Sequence, residues 1–260
     1  MKYGFIGCGN MGGAIAKALS RATKEIMVSD RSGKAKAFAE ELGIVYSDAE
    51  TIAARCDRIF IAVKPHMVQE VLSLLQKVLG KRKPLLITMA AGMEIEKLEQ
   101  LAGTELPVIR IMPNTPAAVG AGMILYCCSG NVTAAQRAEF LTAMQDAGAF
   151  DCLEEQLMDA GSAVSGCGPA FVYLFLEAMA DGGVACGLPR SKAQQYAAQT
   201  VLGAARLLQE TAQHPGALKD AVCSPGGSTI AGVHALERAA FRSAVMDAVQ
   251  AAFEKTKTLK

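Results

Sequence analysis

The pattern of apolar residues in the sequence changes near residue 152, and this change limits the folds that the chain can adopt. Before it, short runs of β-branched and apolar residues alternate with segments of helical periodicity. After it, the pattern predicts helices only, over residues 154–163, 168–187, 190–212, 215–222, 228–240 and 241–258. Strands that alternate with helices of about 10–15 residues are typical of a parallel sheet with helices on both faces. We therefore predict an α/β domain over residues 1–152 and an all-helical domain over 153–260.

One predicted helix, Pro169–Leu188, is apolar on nearly every side and carries only Glu177 and Asp181 as charges. A helix of this kind is buried in the folded protein. Either a second copy of the chain covers it, or the neighbouring helices of its own chain wrap around it. The small size of the helical domain favours a second copy.

Composition excludes several classes of protein. Hydrophobic residues make up 51% of the chain, which argues against intrinsic disorder. A net charge of +1 gives no reason to expect nucleic acid or an acidic membrane surface as partner. The eight cysteines form no C-x-x-C pair and the three histidines are scattered, so we expect no metal site. Because the N-terminal residues lack signal-peptide features and the longest uncharged stretch is broken by prolines and glycines, we expect a cytoplasmic protein without a membrane partner.

A glycine fingerprint lies between the first predicted strand, residues 3–6, and the first predicted helix, Asn10–Ala22. Residues Gly7–Gly12 read G-x-G-x-x-G, a pattern that gains meaning from this strand-to-helix context. The first glycine allows a tight turn, the second lets the backbone approach a pyrophosphate, and the third lets the helix pack against the strand. The alternative is a glycine-rich turn without a ligand. The context predicts a dinucleotide site.

The end of the second predicted strand bears on the choice of dinucleotide. Asp30 lies where an acidic residue binds a ribose 2′-hydroxyl, and Arg31 follows it directly. An arginine at this place can bind a 2′-phosphate with a bidentate pair of hydrogen bonds. Asp30 is alternatively a solvated turn residue or a helix cap. The pair favours NADP, with NAD as a second cofactor.

Further strands of the first half end in small residues and prolines, which suit a narrow slot for a flat nicotinamide ring. Ligands of open α/β sheets bind beyond the carboxyl ends of the strands. Lys64 is interpreted equally well as a cofactor contact and as a helix-terminus residue, whereas Asn114 is expected to line the site. The predicted cofactor-binding residues are Ile6, Gly7, Cys8, Gly9, Asn10, Met11, Gly12, Asp30, Arg31, Ala62, Val63, Lys64, Pro65, Ala90, Ala91, Gly92 and Asn114.

A second candidate anion site precedes a helix predicted to begin at Ser228. The segment Ser224-Pro225-Gly226-Gly227-Ser228-Thr229 places two glycines and two hydroxyls at that helix start. Glycines free the backbone to turn its N–H groups toward one point. Since this half of the chain has no second nucleotide fingerprint, a small substrate carboxylate is the expected anion. The alternative is ordinary N-capping by Ser228 or Thr229.

These motifs resemble those of the pyrroline-5-carboxylate reductases, and the resemblance extends over nearly the whole chain. The His214-Pro215-Gly216 triplet and the segment from Ser224 to Gly232 are its most specific part. Three departures stand out. Cys167 replaces a usual serine, Ser228 replaces a usual threonine, and Ala212-Gln213 stands where an acidic residue often precedes the triplet. The other matching segments are Gly7–Gly12, Ala62–His66, Arg110–Pro116, Val164–Ala170, Asp181–Gly183 and Gly187–Arg190.

The resemblance implies a Rossmann domain followed by a helical dimerisation domain. It implies that two chains interlock, that each active site uses both subunits, and that five dimers assemble into a decamer in some members. The implied reaction reduces the C=N bond of Δ1-pyrroline-5-carboxylate to L-proline with NADPH or NADH. Thr229 is then the catalytic donor beside the ring nitrogen, where it either transfers a proton or only orients and polarises the imine. The implied substrate-binding residues are Ser224, Gly226, Gly227, Ser228 and Thr229.

Two rival functions leave different traces in a sequence. A β-hydroxyacid dehydrogenase needs a lysine on the helix after a glycine-rich turn, and residues 166–177 contain none. A dinucleotide-binding protein without catalytic activity would be expected to lack Thr229 or the Gly226-Gly227 turn, and both are present. The sequence therefore favours the reductase.

Overall fold

A computed structural model describes residues 2–258 and divides the chain into two compact units. The first unit ends at Cys167 and also takes in the C-terminal residues from Ala252 onward. The second unit is Gly168–Ala251.

The first unit is built on one eight-stranded sheet, with the strand order β3-β2-β1-β4-β5-β6-β7-β8. All neighbouring strands are parallel except β6 and β7, which are antiparallel. The predicted α/β fold is confirmed. The strands are β1 (Tyr3–Ile6), β2 (Ile26–Ser29), β3 (Val45–Tyr46), β4 (Arg58–Ile61), β5 (Leu85–Thr88), β6 (Val108–Met112), β7 (Gly122–Cys128) and β8 (Gly148–Cys152).

Helices cover both faces of this sheet, because alternate strand residues feed two separate apolar cores. Phe5 and Phe60 stack at 4.2 Å in one core, and Ile59 and Ile61 lie in the other. The helices are α1 (Asn10–Ala22), α2 (Lys34–Leu42), α3 (Ala49–Arg55), α4 (Pro65–Arg82), α5 (Ile95–Ala102), α6 (Ala134–Met144) and α7 (Met158–Ser165).

The strand β3 and the helix α3, which follow β2 and precede β4 in the chain, were not predicted from the sequence. They contain two and seven residues, too few for a hydrophobic period to show. The local signal that could have found α3 is its cap: the Asp48 carboxylate accepts a 2.6 Å hydrogen bond from the Thr51 N–H. This hydrogen bond and one from the Thr51 hydroxyl lower the pKa of Asp48.

The first unit extends past the predicted boundary at 152/153 because α7 packs on the sheet. Met158 is fully buried in one of the two cores. A Cβ at Gly161 would lie 2.4 Å from Cδ1 of Leu125, so β7 and α7 approach closely there. Packing therefore groups α7 with the sheet, while the start of the dimerisation domain at residue 153 stays a prediction.

The second unit consists of helices that bury almost nothing within the chain. Among its described residues only Ala180, Ala193 and Ala197 are buried. The alternative in which neighbouring helices of the same chain wrap the apolar helix is wrong, since Leu174 on α8 is 67% exposed. Its burial against a second copy of the chain stays a prediction. The helices are α8 (Gly168–Ala185), α9 (Arg190–Thr211), α10 (Pro215–Ala221), α11 (Ser228–Arg238) and α12 (Phe241–Lys257).

One helical stretch, Glu155–Ala185, is long and apolar enough to cross a membrane by length and composition alone. Only 11% of its most apolar window is buried within the chain. A helix covered by a second copy of a protein meets the same two criteria. The stretch is therefore weak evidence for a membrane.

Candidate active site

The carboxyl ends of four parallel strands meet at one edge of the sheet in the first unit. Ile6 pairs with Ser29 of β2 and with Ile61 of β4, and Ile61 pairs with Thr88 of β5. The residues that follow these strand ends therefore start at one level. The structure thus places the predicted cofactor-binding segments along a single edge, as expected for an open α/β sheet.

The fingerprint loop has the geometry of a dinucleotide cradle. Gly7 has φ +97°, and a Cβ there would lie 2.6 Å from the carbonyl oxygen of Ala62. A Cβ at Gly12 would lie 2.6 Å from the carbonyl oxygen of Gly7. Gly9, the N-cap of α1, has open space where its Cβ would be, and no side chain caps the helix. A pyrophosphate fits this end of α1, where backbone N–H groups and the helix dipole favour an anion.

The thiol of Cys8, inside this loop, is held in its neutral form. Burial raises the pKa of Cys8 to about 11, and the nearby Asp30 carboxylate acts in the same direction. Since only the thiolate is a strong nucleophile, Cys8 is a poor nucleophile at neutral pH.

We expect Cys8 to react slowly with iodoacetamide at pH 7.5, because a pKa near 11 leaves only about one thiol in 10³ or fewer ionised. Its alkylation rate should rise about tenfold per pH unit until the pH approaches that pKa. The exposed Cys152 serves as the reference in the same digest, followed by mass spectrometry. Labelling of Cys8 as fast as Cys152 at pH 7.5 would contradict this description of the loop.

A cleft of about 620 Å³ opens beside the end of β2. Asp30 lies in it, and its Oδ1 atom is buried without a hydrogen-bond partner, while Oδ2 accepts a 2.6 Å hydrogen bond from the Ser32 hydroxyl. The guanidinium of Arg31 forms an ion pair with Glu70 of α4, which lines the same cleft. A buried acceptor oxygen and an exposed arginine at this position fit the ribose end of a dinucleotide.

Asn114 and Lys64 have different surroundings. Asn114 is buried, and its carboxamide donates to the Ser165 carbonyl at 2.9 Å and accepts from the Met123 N–H at 3.0 Å. The side chain thus joins the end of β6 to β7 and α7. Lys64 is the N-cap residue of α4, and its side chain caps nothing and is exposed. Binding of a cofactor by either residue stays a prediction.

The second predicted anion site lies at the start of α11, in the second unit. Gly226 has φ +67°, and the Gly227 N–H donates to the Ser224 carbonyl at 3.0 Å, so this amide is used within the turn. Gly227 is the N-cap of α11, and no side chain caps the helix. The alternative of capping by the Ser228 or Thr229 hydroxyl is therefore not found. The amides of the first helical turn remain to bind an anion.

Comparison with known proteins adds the family. A pyrroline-5-carboxylate reductase dimerisation model matches residues 155–259, and an NADP oxidoreductase coenzyme F420-dependent model matches residues 2–92. The chain is 40% identical to a pyrroline-5-carboxylate reductase of Escherichia coli, over 99% of this chain and 98% of the relative. It is 41% identical to one of Pisum sativum, over 98% of this chain and 95% of the relative. The chain belongs to the pyrroline-5-carboxylate reductase family.

A solved structure of the same family supports this assignment in three dimensions. The pyrroline carboxylate reductase of Plasmodium falciparum, with NADP bound, has a TM-score of 0.91 and 37% identity, with 100% of this chain and 98% of that chain covered. The chain is an NAD(P)H-dependent oxidoreductase of the pyrroline-5-carboxylate reductase family, as the resemblance implied. The match to the dimerisation model also supports a homo-oligomer.

The role of Arg110 in the fold was not predicted from the sequence, where this residue is named only as part of a matching segment. Arg110 on β6 is 1% exposed and pairs with Asp159 of α7 at 2.9 Å and with Glu155 at 3.3 Å. Glu155 also accepts a 2.8 Å hydrogen bond from the Ile95 N–H at the start of α5. The cluster links β6 to α5 and α7. An arginine within the apolar strand VIRIM is the sequence signal that could have revealed it.

The His-Pro-Gly triplet of this reductase-family chain has a structural explanation. His214 is the N-cap of α10, and its Nδ1 accepts a 3.1 Å hydrogen bond from the Gly216 N–H. Pro215 occupies the first turn, where its missing N–H costs no hydrogen bond. Among the described residues, no group of three or more histidine, cysteine or acidic side chains could hold a metal ion.

Proposed function

We propose that this chain reduces the C=N bond of Δ1-pyrroline-5-carboxylate to L-proline, the last step of proline biosynthesis. The observation that carries the proposal is the identity of 40% with a pyrroline-5-carboxylate reductase over 99% of the chain. This range includes both the predicted dinucleotide site and the predicted anion site at the start of α11. The balanced reaction adds one hydride to the imine carbon and one proton to the nitrogen. NADPH is the proposed reductant, with NADH as a second one.

The first unit would bind the dinucleotide through its own backbone and strand ends. The loop Gly7–Gly12 holds the pyrophosphate, and Asp30 and Arg31 hold the adenosine ribose. Segments 62–65 and 90–92 and the end of β6 border the nicotinamide slot. When bound, the cofactor supplies a hydride from the nicotinamide C4.

The second unit would bind the substrate at the start of α11. The amides of Ser228 and Thr229 bind the carboxylate, since the Gly227 amide is already hydrogen-bonded within the turn. The Thr229 hydroxyl donates a hydrogen bond to the ring nitrogen and makes the imine carbon more electrophilic. A threonine hydroxyl is a poor acid at neutral pH, so its main contribution is positioning and polarisation. Water, or prior protonation of the imine, supplies the proton.

We infer that the active protein is a cytoplasmic homo-oligomer, either a dimer or a decamer of five dimers, in which each active site uses both subunits. Support comes from the second unit, whose large apolar side chains lack a core of their own. The match of residues 155–259 to a dimerisation model supports the same inference.

The proposed function is tested by following NADPH oxidation at 340 nm with pyrroline-5-carboxylate as substrate. We expect turnover with this imine and none with β-hydroxyacids and NADP⁺. Oxidation of a β-hydroxyacid would favour the rival dehydrogenase. Cofactor binding without turnover of either substrate would indicate a non-catalytic dinucleotide-binding protein.

Arg31→Ala should raise the KM for NADPH by about 10–150-fold and leave the KM for NADH nearly unchanged. The reason is the loss of a charge-assisted hydrogen bond to the 2′-phosphate, worth about 1.5–3 kcal/mol. Steady-state kinetics with each cofactor measures both values. Equal effects on the two cofactors would remove Arg31 from the 2′-phosphate site.

Leu174→Glu should weaken assembly, because a charge on this exposed apolar face of α8 would be buried against the second copy. We expect the wild-type chain to sediment as a dimer or larger at micromolar concentration, and the variant to shift toward monomer. Val45→Glu, on the edge strand β3, is the matched control for an added charge on an exposed apolar residue. A fully active wild-type monomer would rule out the shared site.

A further inference from the structure

We propose that Glu70 sets the preference between NADP and NAD by competing with the cofactor's 2′-phosphate for Arg31. The inference rests on the proposed cofactor site and adds a specificity residue to it. Glu70 lies on α4, and Arg31 follows β2, so the pair joins two separate elements across one cleft.

The position of Glu70 is fixed by the packing of its helix. Val71 and Leu72, its neighbours in sequence, are buried on the inward face of α4. The helix therefore places Glu70 in the lining of the cleft, where its side chain is 64% exposed. An ion pair as exposed as this is weak, so Arg31 can exchange Glu70 for another anion.

Asp30 gives the same cleft a second way to bind an adenosine ribose. Its buried Oδ1 has no hydrogen-bond partner and can accept from a ribose 2′-hydroxyl. With NAD, this hydrogen bond forms and the pair between Arg31 and Glu70 stays intact. With NADP, Arg31 must leave Glu70 for the phosphate, which then lies near two carboxylates. Glu70 therefore shifts the preference toward NAD.

The other acidic side chain of this cleft is committed elsewhere. Asp48 accepts hydrogen bonds from both the N–H and the hydroxyl of Thr51, and it caps α3. Its carboxylate is thus held by the helix start and does not pair with Arg31. Glu70 is therefore the carboxylate whose replacement should change how well the 2′-phosphate competes for Arg31.

The test measures binding of two cofactor fragments by titration calorimetry on the full-length protein. Adenosine 2′,5′-bisphosphate carries the 2′-phosphate and 5′-AMP lacks it. Glu70→Gln keeps the size and shape of the side chain and removes its charge. We expect this variant to bind the bisphosphate about 2–5-fold more tightly, the scale of one exposed charge interaction, and 5′-AMP as the wild type does. The gain should shrink at high salt.

Two further variants sharpen the test. In an Arg31→Ala background, Glu70→Gln should raise the affinity for the bisphosphate much less, because the arginine for which Glu70 and the phosphate compete is absent. Glu210→Gln removes the acidic partner of Arg206, another exposed arginine, and should change neither affinity. A wild type that binds neither fragment would refute the cofactor site itself. Unchanged or weaker bisphosphate binding by Glu70→Gln, or an equal gain for both fragments, would overturn the role of Glu70 alone.

Discussion

Replacing Thr229 by alanine should lower kcat by about 10²–10⁴-fold if its hydroxyl transfers the proton to the imine nitrogen. A hydroxyl that only orients the imine through one neutral hydrogen bond contributes about 0.5–1.5 kcal/mol, or roughly 2–13-fold. We expect the lower end of the first range, because a donor aimed at developing charge is strengthened where water is excluded. Steady-state kinetics with pyrroline-5-carboxylate measures the loss.

Thr229→Ser is the matched control, since it keeps the hydroxyl and should stay near wild type. Dissociation constants for NADPH should barely change in either variant, because the glycine fingerprint lies in the other unit. An alanine variant with wild-type kcat and KM would show that Thr229 has no catalytic role and that the substrate binds at another place than the start of α11.

Replacing Arg110 by methionine should lower the free energy of unfolding by about 3–5 kcal/mol. The substitution leaves the carboxylates of Asp159 and Glu155 without the buried guanidinium that faces them. The measurement is denaturant unfolding followed by circular dichroism at one protomer concentration, because assembly also stabilises the fold.

Arg206→Met is the control for this prediction. Arg206 pairs with Glu210 on the surface of α9, where such a pair contributes about 0.3–0.5 kcal/mol. Adding Asp159→Asn to Arg110→Met should recover part of the loss by removing one of the two carboxylate charges that Arg110 pairs with. Equal losses for the Arg110 and Arg206 variants would show that burial of the Arg110 cluster contributes nothing.

Much of the backbone could be predicted because helices and strands leave local patterns in a sequence. The helix Asn10–Ala22 begins and ends where its periodicity predicts, and α11 begins at Ser228 as expected. The orientation of β7 was not predicted. Its antiparallel pairing with β6 depends on a short connection through residues 115–119, a 3₁₀ turn that leaves no hydrophobic period.

The two-part architecture, the glycine cradle and the family could all be predicted from the sequence, since each depends on motifs of residues close together in the chain. Which side chains meet depends on the folding of distant segments onto one another: Arg31 with Glu70, Arg110 with Asp159, and Asn114 with Ser165. Most of α8 is exposed within its own chain, where Ala180 is its one buried residue. The physical reason is that hydrophobic periodicity records which face of an element avoids water. The partner that covers that face, or neutralises a charge, comes from distant residues or from another chain.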